Sequence, residues 1–114
     1  MTQRFDFYFD FGSPASYLAH TQLPRITALT GAVPNMHPML LGGVFQATGN
    51  ASPVTVPAKG RYIFIDMKRF AHAYGVPLVM NTHFPITTTT LMRGATAMQQ
   101  QSDEEFQRYM DAIY

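Results

Sequence analysis

The stretch Arg4-Phe5-Asp6-Phe7-Tyr8-Phe9-Asp10-Phe11-Gly12-Ser13-Pro14-Ala15-Ser16-Tyr17-Leu18 runs a strand directly into a helix. From Arg4 to Phe11 the phenylalanines alternate with Asp6, Tyr8 and Asp10, a period of two that predicts a strand with one aromatic face. Ser13 is a favoured N-cap, and Pro14 suits the first helical position, where its missing N–H costs nothing and its φ is already helical. Leu18, Ala19, Leu23, Ile26 and Leu29 fall on one side of the helix that follows. Pro24 predicts a kink in it, and Gly31 its end. The junction therefore places one small hydroxyl where unpaired helix amides begin, a position suited to an anion or a thiolate.

Beyond Gly31 a second extended segment is expected over Val33 to Met39, held to an edge or irregular pairing by Pro34 and Pro38. Leu40 to Thr48 reads as a short helical turn weakened by Gly42 and Gly43. Gly49 to Pro57 reads as a loop. From Lys59 the pattern is helical, with Ile63, Met67, Phe70 and Tyr74 as the apolar stripe and Gly75 at the stop. Thr82 to Pro85 reads as a loop, and a further helix starts within Thr87 to Thr90 and covers Leu91, Ala95 and Met98. Ser102 with Glu105 forms a capping box before the stripe Phe106, Tyr109, Met110 and Ile113. The order is strand, helix, strand and then helices only, with no internal repeat. Two strands alone make a marginal sheet, so a part that completes it is expected to be missing.

Composition narrows the function classes. At 114 residues and 46% hydrophobic content, the chain holds one domain with a real core. A net charge of +1 predicts no strong attraction to nucleic acid or anionic lipid. No cysteine is present, which excludes disulfides, thiolate nucleophiles and cysteine-based metal sites. His20, His37, His72 and His83 lack metal-ligand spacing, so no metal is expected. With no basic-then-apolar leader and no apolar run near about 18 residues, a soluble cytoplasmic protein is expected. Asp6 and Asp10 share a strand face with Tyr8 and read as solvated or capping residues rather than a catalytic carboxylate pair. The eight methionines read mostly as core filler.

The run Phe7 to Ala19, together with Pro38-Met39-Leu40-Leu41-Gly42-Gly43-Val44-Phe45, Thr48-Gly49-Asn50, Pro57-Ala58-Lys59-Gly60-Arg61-Tyr62 and His83-Phe84-Pro85-Ile86, resembles 2-hydroxychromene-2-carboxylate isomerases and their relatives, the kappa-class glutathione transferases. The resemblance covers nearly the whole chain but only about the first half of a family member. It implies an α/β fold: residues 1–41 as the N-terminal βαβ part of a DsbA-like, thioredoxin-like domain, residues 42–114 as an all-helical insertion, and the C-terminal half of the thioredoxin fold missing.

The same resemblance implies a glutathione-dependent cis–trans isomerase of aromatic degradation with glutathione as cofactor. Ser13 stands at the family's catalytic serine and would stabilise the glutathione thiolate. Asn50 matches a glutathione-contacting asparagine, and its alternative is an ordinary turn residue. Lys59 would face the tripeptide's carboxylates or a carboxylated substrate, against the alternative of an exposed lysine at a helix start. His83 and Phe84 sit in a loop that in the family approaches the substrate. Val54, Thr55 and Val56 replace residues that some isomerases make polar. A kappa-class transferase is the alternative activity. From another class, the alternative is a truncated, weak or inactive domain that folds by pairing as a homodimer.

Overall fold

The computed structural model describes residues 2–114, and Met1 lies outside the described residues. Strand β1 (Arg4–Phe9) leads to helix α1 (Pro14–Thr30) and strand β2 (Val33–Pro38). Helix α2 (Leu41–Thr48), a single 3-10 turn over Pro53–Thr55, and helices α3 (Pro57–Tyr74), α4 (Thr89–Gln101) and α5 (Asp103–Ile113) follow. The two strands pair in parallel, with Arg4 opposite Val33 and Phe9 opposite Pro38. Both prolines of β2 are tolerated because β2 pairs on one side only.

The alternation in β1 folds as its period demands. Phe5 and Phe7 are partly covered and Phe9 is fully buried, while Arg4, Asp6 and Tyr8 face outward. The strand stops at Phe9, two residues before the expected end at Phe11, because Asp10 turns the chain. Its carbonyl accepts the Ser13 N–H at 2.9 Å and its carboxylate accepts the Gly12 N–H at 2.8 Å. Phe11 still packs inward, against Tyr109 and Tyr114.

α1 begins as the Ser13-Pro14 pair predicts, with the Ser13 hydroxyl accepting the Ser16 N–H at 3.2 Å. It continues through Pro24 and ends at Gly31, whose φ of 75° lies in the left-handed region open to glycine. α3 starts at Pro57, two residues earlier than expected, with proline again at the first position. Its stripe is less buried than its spacing suggests, since Phe70 is 44% and Tyr74 39% exposed. The buried residues of α3 are instead the small Gly60 and Ala71. A Cβ on Gly60 would stand 3.4 Å from the Val54 Cα, so the missing side chain lets the 3-10 turn lie close against α3.

The core forms where α4 and α5 cover the aromatic face of β1. Phe9, Met92, Ala95, Phe106 and Met110 are buried together, with Phe7, Met36 and Tyr109 packed around them. Burying each large side chain contributes roughly 1.5–3 kcal/mol. Ser102 caps α5 by accepting the Glu105 N–H at 3.1 Å, and Asp103, Glu104 and Glu105 place negative charge at its positive end. Among the described residues no helix is long and apolar enough to cross a membrane.

Candidate functional site

The turn between β1 and α1 opens onto a cavity of about 540 Å³. Ser13, Pro14 and Ala15 form one wall, Leu40 to Gly43 with Phe45 a second, Ile63, Phe64 and Met67 of α3 a third, and Phe84 to Thr88 the fourth. Ser52, Pro53 and Val54 close one end. The walls are mostly aliphatic and aromatic, and Phe64 meets Phe84 edge to face at 5.9 Å between ring centres. The Phe84–Pro85 peptide bond is cis.

The Ser13 wall presents hydrogen-bond donors. The Ser13 oxygen accepts from Ser16, which leaves the hydroxyl proton free to donate into the cavity. The Ala15 N–H, in the first turn and at the cavity wall, has no partner within the helix. Both lie at the positive end of α1, where negative charge is stabilised.

Asp10 lies beneath this wall, only 3% exposed. Its Oδ1 accepts from the Gly12 N–H at 2.8 Å and from the Thr88 hydroxyl at 2.6 Å, and its Oδ2 accepts from the Leu41 N–H at 2.8 Å. Of the two readings, solvated or capping, Asp10 takes the second: it is buried and binds helix starts, while Asp6 is the exposed one of the two. At Asp6 a hydrogen bond from His37, at 2.9 Å, and a second from Asn35 hold the carboxyl below its ordinary value.

The residues singled out by sequence are not all brought together. Ser13 and Phe84 line the cavity. Asn50, Lys59 and His83 are exposed and do not line it, although Asn50 and Lys59 flank the Ser52–Val54 segment that does. The Asn50 side-chain oxygen accepts the Ala51 N–H at 2.8 Å, and Asn81 accepts the His83 N–H at 2.8 Å, both local turn contacts. Asp10, Leu41, Phe64, Ile86 and Thr88 are the wall and floor residues that sequence reasoning missed. Asp10 two positions before Gly12 was a legible turn signal, since Asp side chains accept backbone bonds two residues on. Thr88, in a run of four threonines, carried none.

A second cavity, of about 530 Å³, lies across the Ser13-Pro14 turn and shares Phe84 and Ile86 with the first. Tyr17 and Tyr114 line it, and the Tyr17 hydroxyl donates to the Pro77 carbonyl. Burial raises the Tyr114 phenol above its ordinary value, with the Asp10 charge adding to the effect. His20, whose ring stacks on Tyr114 at 5.0 Å, is pushed down by burial, an effect that Asp111 partly opposes. Among the described residues no group of three or more His, Asp or Glu is placed to hold a metal ion.

A thioredoxin-type strand, helix and parallel strand, with a helix N-cap at the site, is matched by comparison with known proteins: residues 4–114 match the DSBA-like thioredoxin domain. The chain belongs to the DSBA-like thioredoxin domain family. This DSBA-like domain is 33% identical, over 100% of its length and 57% of the relative's, to 2-hydroxychromene-2-carboxylate isomerase of Sphingobium xenophagum. It is also 33% identical to glutathione S-transferase kappa 1 of Caenorhabditis elegans, over 89% of this chain and 47% of that one. A solved 2-hydroxychromene-2-carboxylate isomerase structure superposes on 96% of the DSBA-like domain and 53% of its own chain, with a TM-score of 0.81 at 28% identity. The chain thus spans about half the length of the curated relatives it matches. Its relatives are isomerases and glutathione transferases, as the resemblance read from Phe7 to Ala19 implies.

Proposed function

We propose that this domain serves a glutathione-dependent cis–trans isomerisation of an aromatic-derived substrate, with Ser13 stabilising the glutathione thiolate. The carrying observation is the Ser13 hydroxyl at the N-terminus of α1, free to donate into an apolar cavity. The residues present fit a thiolate followed by a peptide. The hydroxyl, the Ala15 N–H and the helix end supply donors and positive potential for a sulfur anion, and the aliphatic and aromatic walls suit an apolar ring. A tripeptide leaving the cavity past Ser52–Val54 reaches Asn50 and Lys59, which bind its amide and carboxylate groups. His83 and Phe84 bound the substrate from the opposite loop.

Bound glutathione supplies a nucleophilic sulfur for reversible addition to a conjugated double bond. Ser13 donates a hydrogen bond to that sulfur and orients it without itself attacking. The first turn of α1 lowers the thiol pKa, so that more thiolate is present near neutral pH. Leu41, Phe64, Met67 and Ile86 exclude water and hold the substrate's ring while the bond turns. Cysteine-based disulfide exchange has no place here, since the chain has no cysteine.

A kappa-class transferase is the second reading, supported by equal identity to the Caenorhabditis elegans protein. It differs in leaving the sulfur bonded to the product.

The test is the ultraviolet absorbance of bound glutathione thiolate as a function of pH, with turnover of a cis-configured aromatic conjugate followed in parallel. Ser13→Ala is expected to raise the thiol pKa and to slow turnover by roughly two orders of magnitude. Full glutathione-dependent turnover by Ser13→Ala, or a wild-type chain that glutathione does not protect thermally, overturns the proposal. An isomerised product supports the first activity, and a stable conjugate the second.

A further inference from the structure

The starts of three helices are tied to one buried carboxylate. Asp10 accepts from Gly12 just before α1, from Leu41 at the first position of α2, and from Thr88, the N-cap of α4. Thr88 makes no side-chain bond to its own helix, so its hydroxyl is directed wholly to Asp10. Both residues are 3% exposed, and all three partners are neutral donors, so the carboxylate is balanced by charge-assisted hydrogen bonds and helix N-termini rather than by a cation. Gly12 makes the approach possible: a Cβ there would stand 3.1 Å from the Thr88 Cγ2 and 3.3 Å from the Asp10 Oδ1. The Asp10 carbonyl also accepts the Ser13 N–H.

Three of the four cavity walls therefore begin at this residue: the Ser13 turn, the Leu40–Gly43 wall and the Thr88 wall. We infer that Asp10 is the positioning residue of the Ser13 site, holding the hydroxyl in register with the two apolar walls that face it. The inference rests on the reading of Ser13 as the thiolate-binding group. Charge alone would make Asp10 unfavourable, since a carboxylate near a thiolate raises the thiol pKa. Its geometry is what serves the site. An amide cannot replace it: three donors converge on its two oxygens, and one end of an asparagine side chain itself donates.

The experiment is a double-mutant cycle on the full chain, joining Asp10→Asn with Ser13→Ala. It is read by the pH titration of bound glutathione thiolate and, without glutathione, by amide hydrogen exchange. A through-space charge effect is additive in the cycle and cancels, whereas positioning through Ser13 is not additive. The Ser13→Ala shift is expected to fall to about half or less in the Asp10→Asn background. The Gly12 and Leu41 amides are expected to exchange about ten-fold faster while Phe106 and Met110 keep their protection. Additive shifts overturn the assignment, whatever the exchange rates. If Ser13→Ala leaves the wild-type titration unmoved, the glutathione reading is what fails, and exchange alone then decides: faster at Gly12 and Leu41 supports Asp10 as the tie, unchanged rates overturn it. Should Asp10→Asn not fold, Thr88→Val enters the same cycle with the same expected signs and smaller changes.

Discussion

The Tyr109 hydroxyl donates to the Leu91 carbonyl at 2.8 Å, bridging α5 to α4 across Gly94. A Cβ on Gly94 would collide with the hydroxyl and stand 2.8 Å from the Cζ of the ring. Gly94→Ala gains up to about 1 kcal/mol of helix propensity but drives the ring out of its place. Overpacking of this kind costs about 1–3 kcal/mol. Net destabilisation is expected in urea unfolding, and a more stable Gly94→Ala chain would show that Tyr109 does not lie on α4 in this way.

The last helix separates core from surface along its own length. Met110 is fully buried, while Ile113 is 36% exposed one turn later. Met110→Ala is expected to lose about 2–5 kcal/mol, and Ile113→Ala distinctly less, about 1 kcal/mol. Equal losses by chemical denaturation would contradict the packing of α5 on β1.

His20 makes stability fall on the acid side of neutrality. Burial pushes its pKa below the ordinary value of 6.5, so the unfolded chain takes up a proton at a pH where the folded one does not. The contribution is present above pH 6.5 and is lost as pH falls through the depressed folded value. His20→Gln is expected to flatten the melting temperature in that window. Asp6 acts with the same sign at lower pH: its stabilisation is present above 3.8 and lost as pH falls through its lowered folded value. Replacing Asp6 by Asn is expected to remove this low-pH loss, which a pH series of thermal melts checks directly.

Phe84 bounds the cavity against Phe64, and the pair contributes about 0.5–1.5 kcal/mol beyond its buried area. Phe84→Ala is expected to weaken binding of an aromatic ligand about ten-fold, with little effect on the exchange protection of Phe106, which lies in the separate core. Loss of protection at both places would mean that the cavity wall and the core are one packing unit.

Much of the fold was legible because local and tertiary preferences agree. Ser13-Pro14 and Ser102 start their helices where their side chains and missing N–H groups suit the first turn, and Gly31 and Gly75 end theirs with positive φ. The aromatic alternation of β1 holds because one face is covered by α4 and α5. Where reading and structure part, a contact distant in sequence decides. β1 ends early because Asp10 must meet Thr88 and Leu41, and no period within the strand encodes those partners. The stripe of α3 misleads because Gly60 and Ala71 let other elements approach, and small residues carry almost no hydropathy signal. Ser13, read from the helix start, and Phe84, read from the family resemblance, both line the cavity. The floor beneath them was not legible, since it joins single residues from several segments.

The bond between Asp10 and Thr88 spans 78 positions of the chain. Closing so long a loop gives no reward until both ends arrive, so the local helices are expected to form before this contact does. The cavity accordingly completes late in folding, after α4 has docked beside the first strand. It also cannot travel as a short graft: transplanting Phe9 to Leu18 into another scaffold would carry the serine and the helix start, but leave Asp10 without two of its three donors.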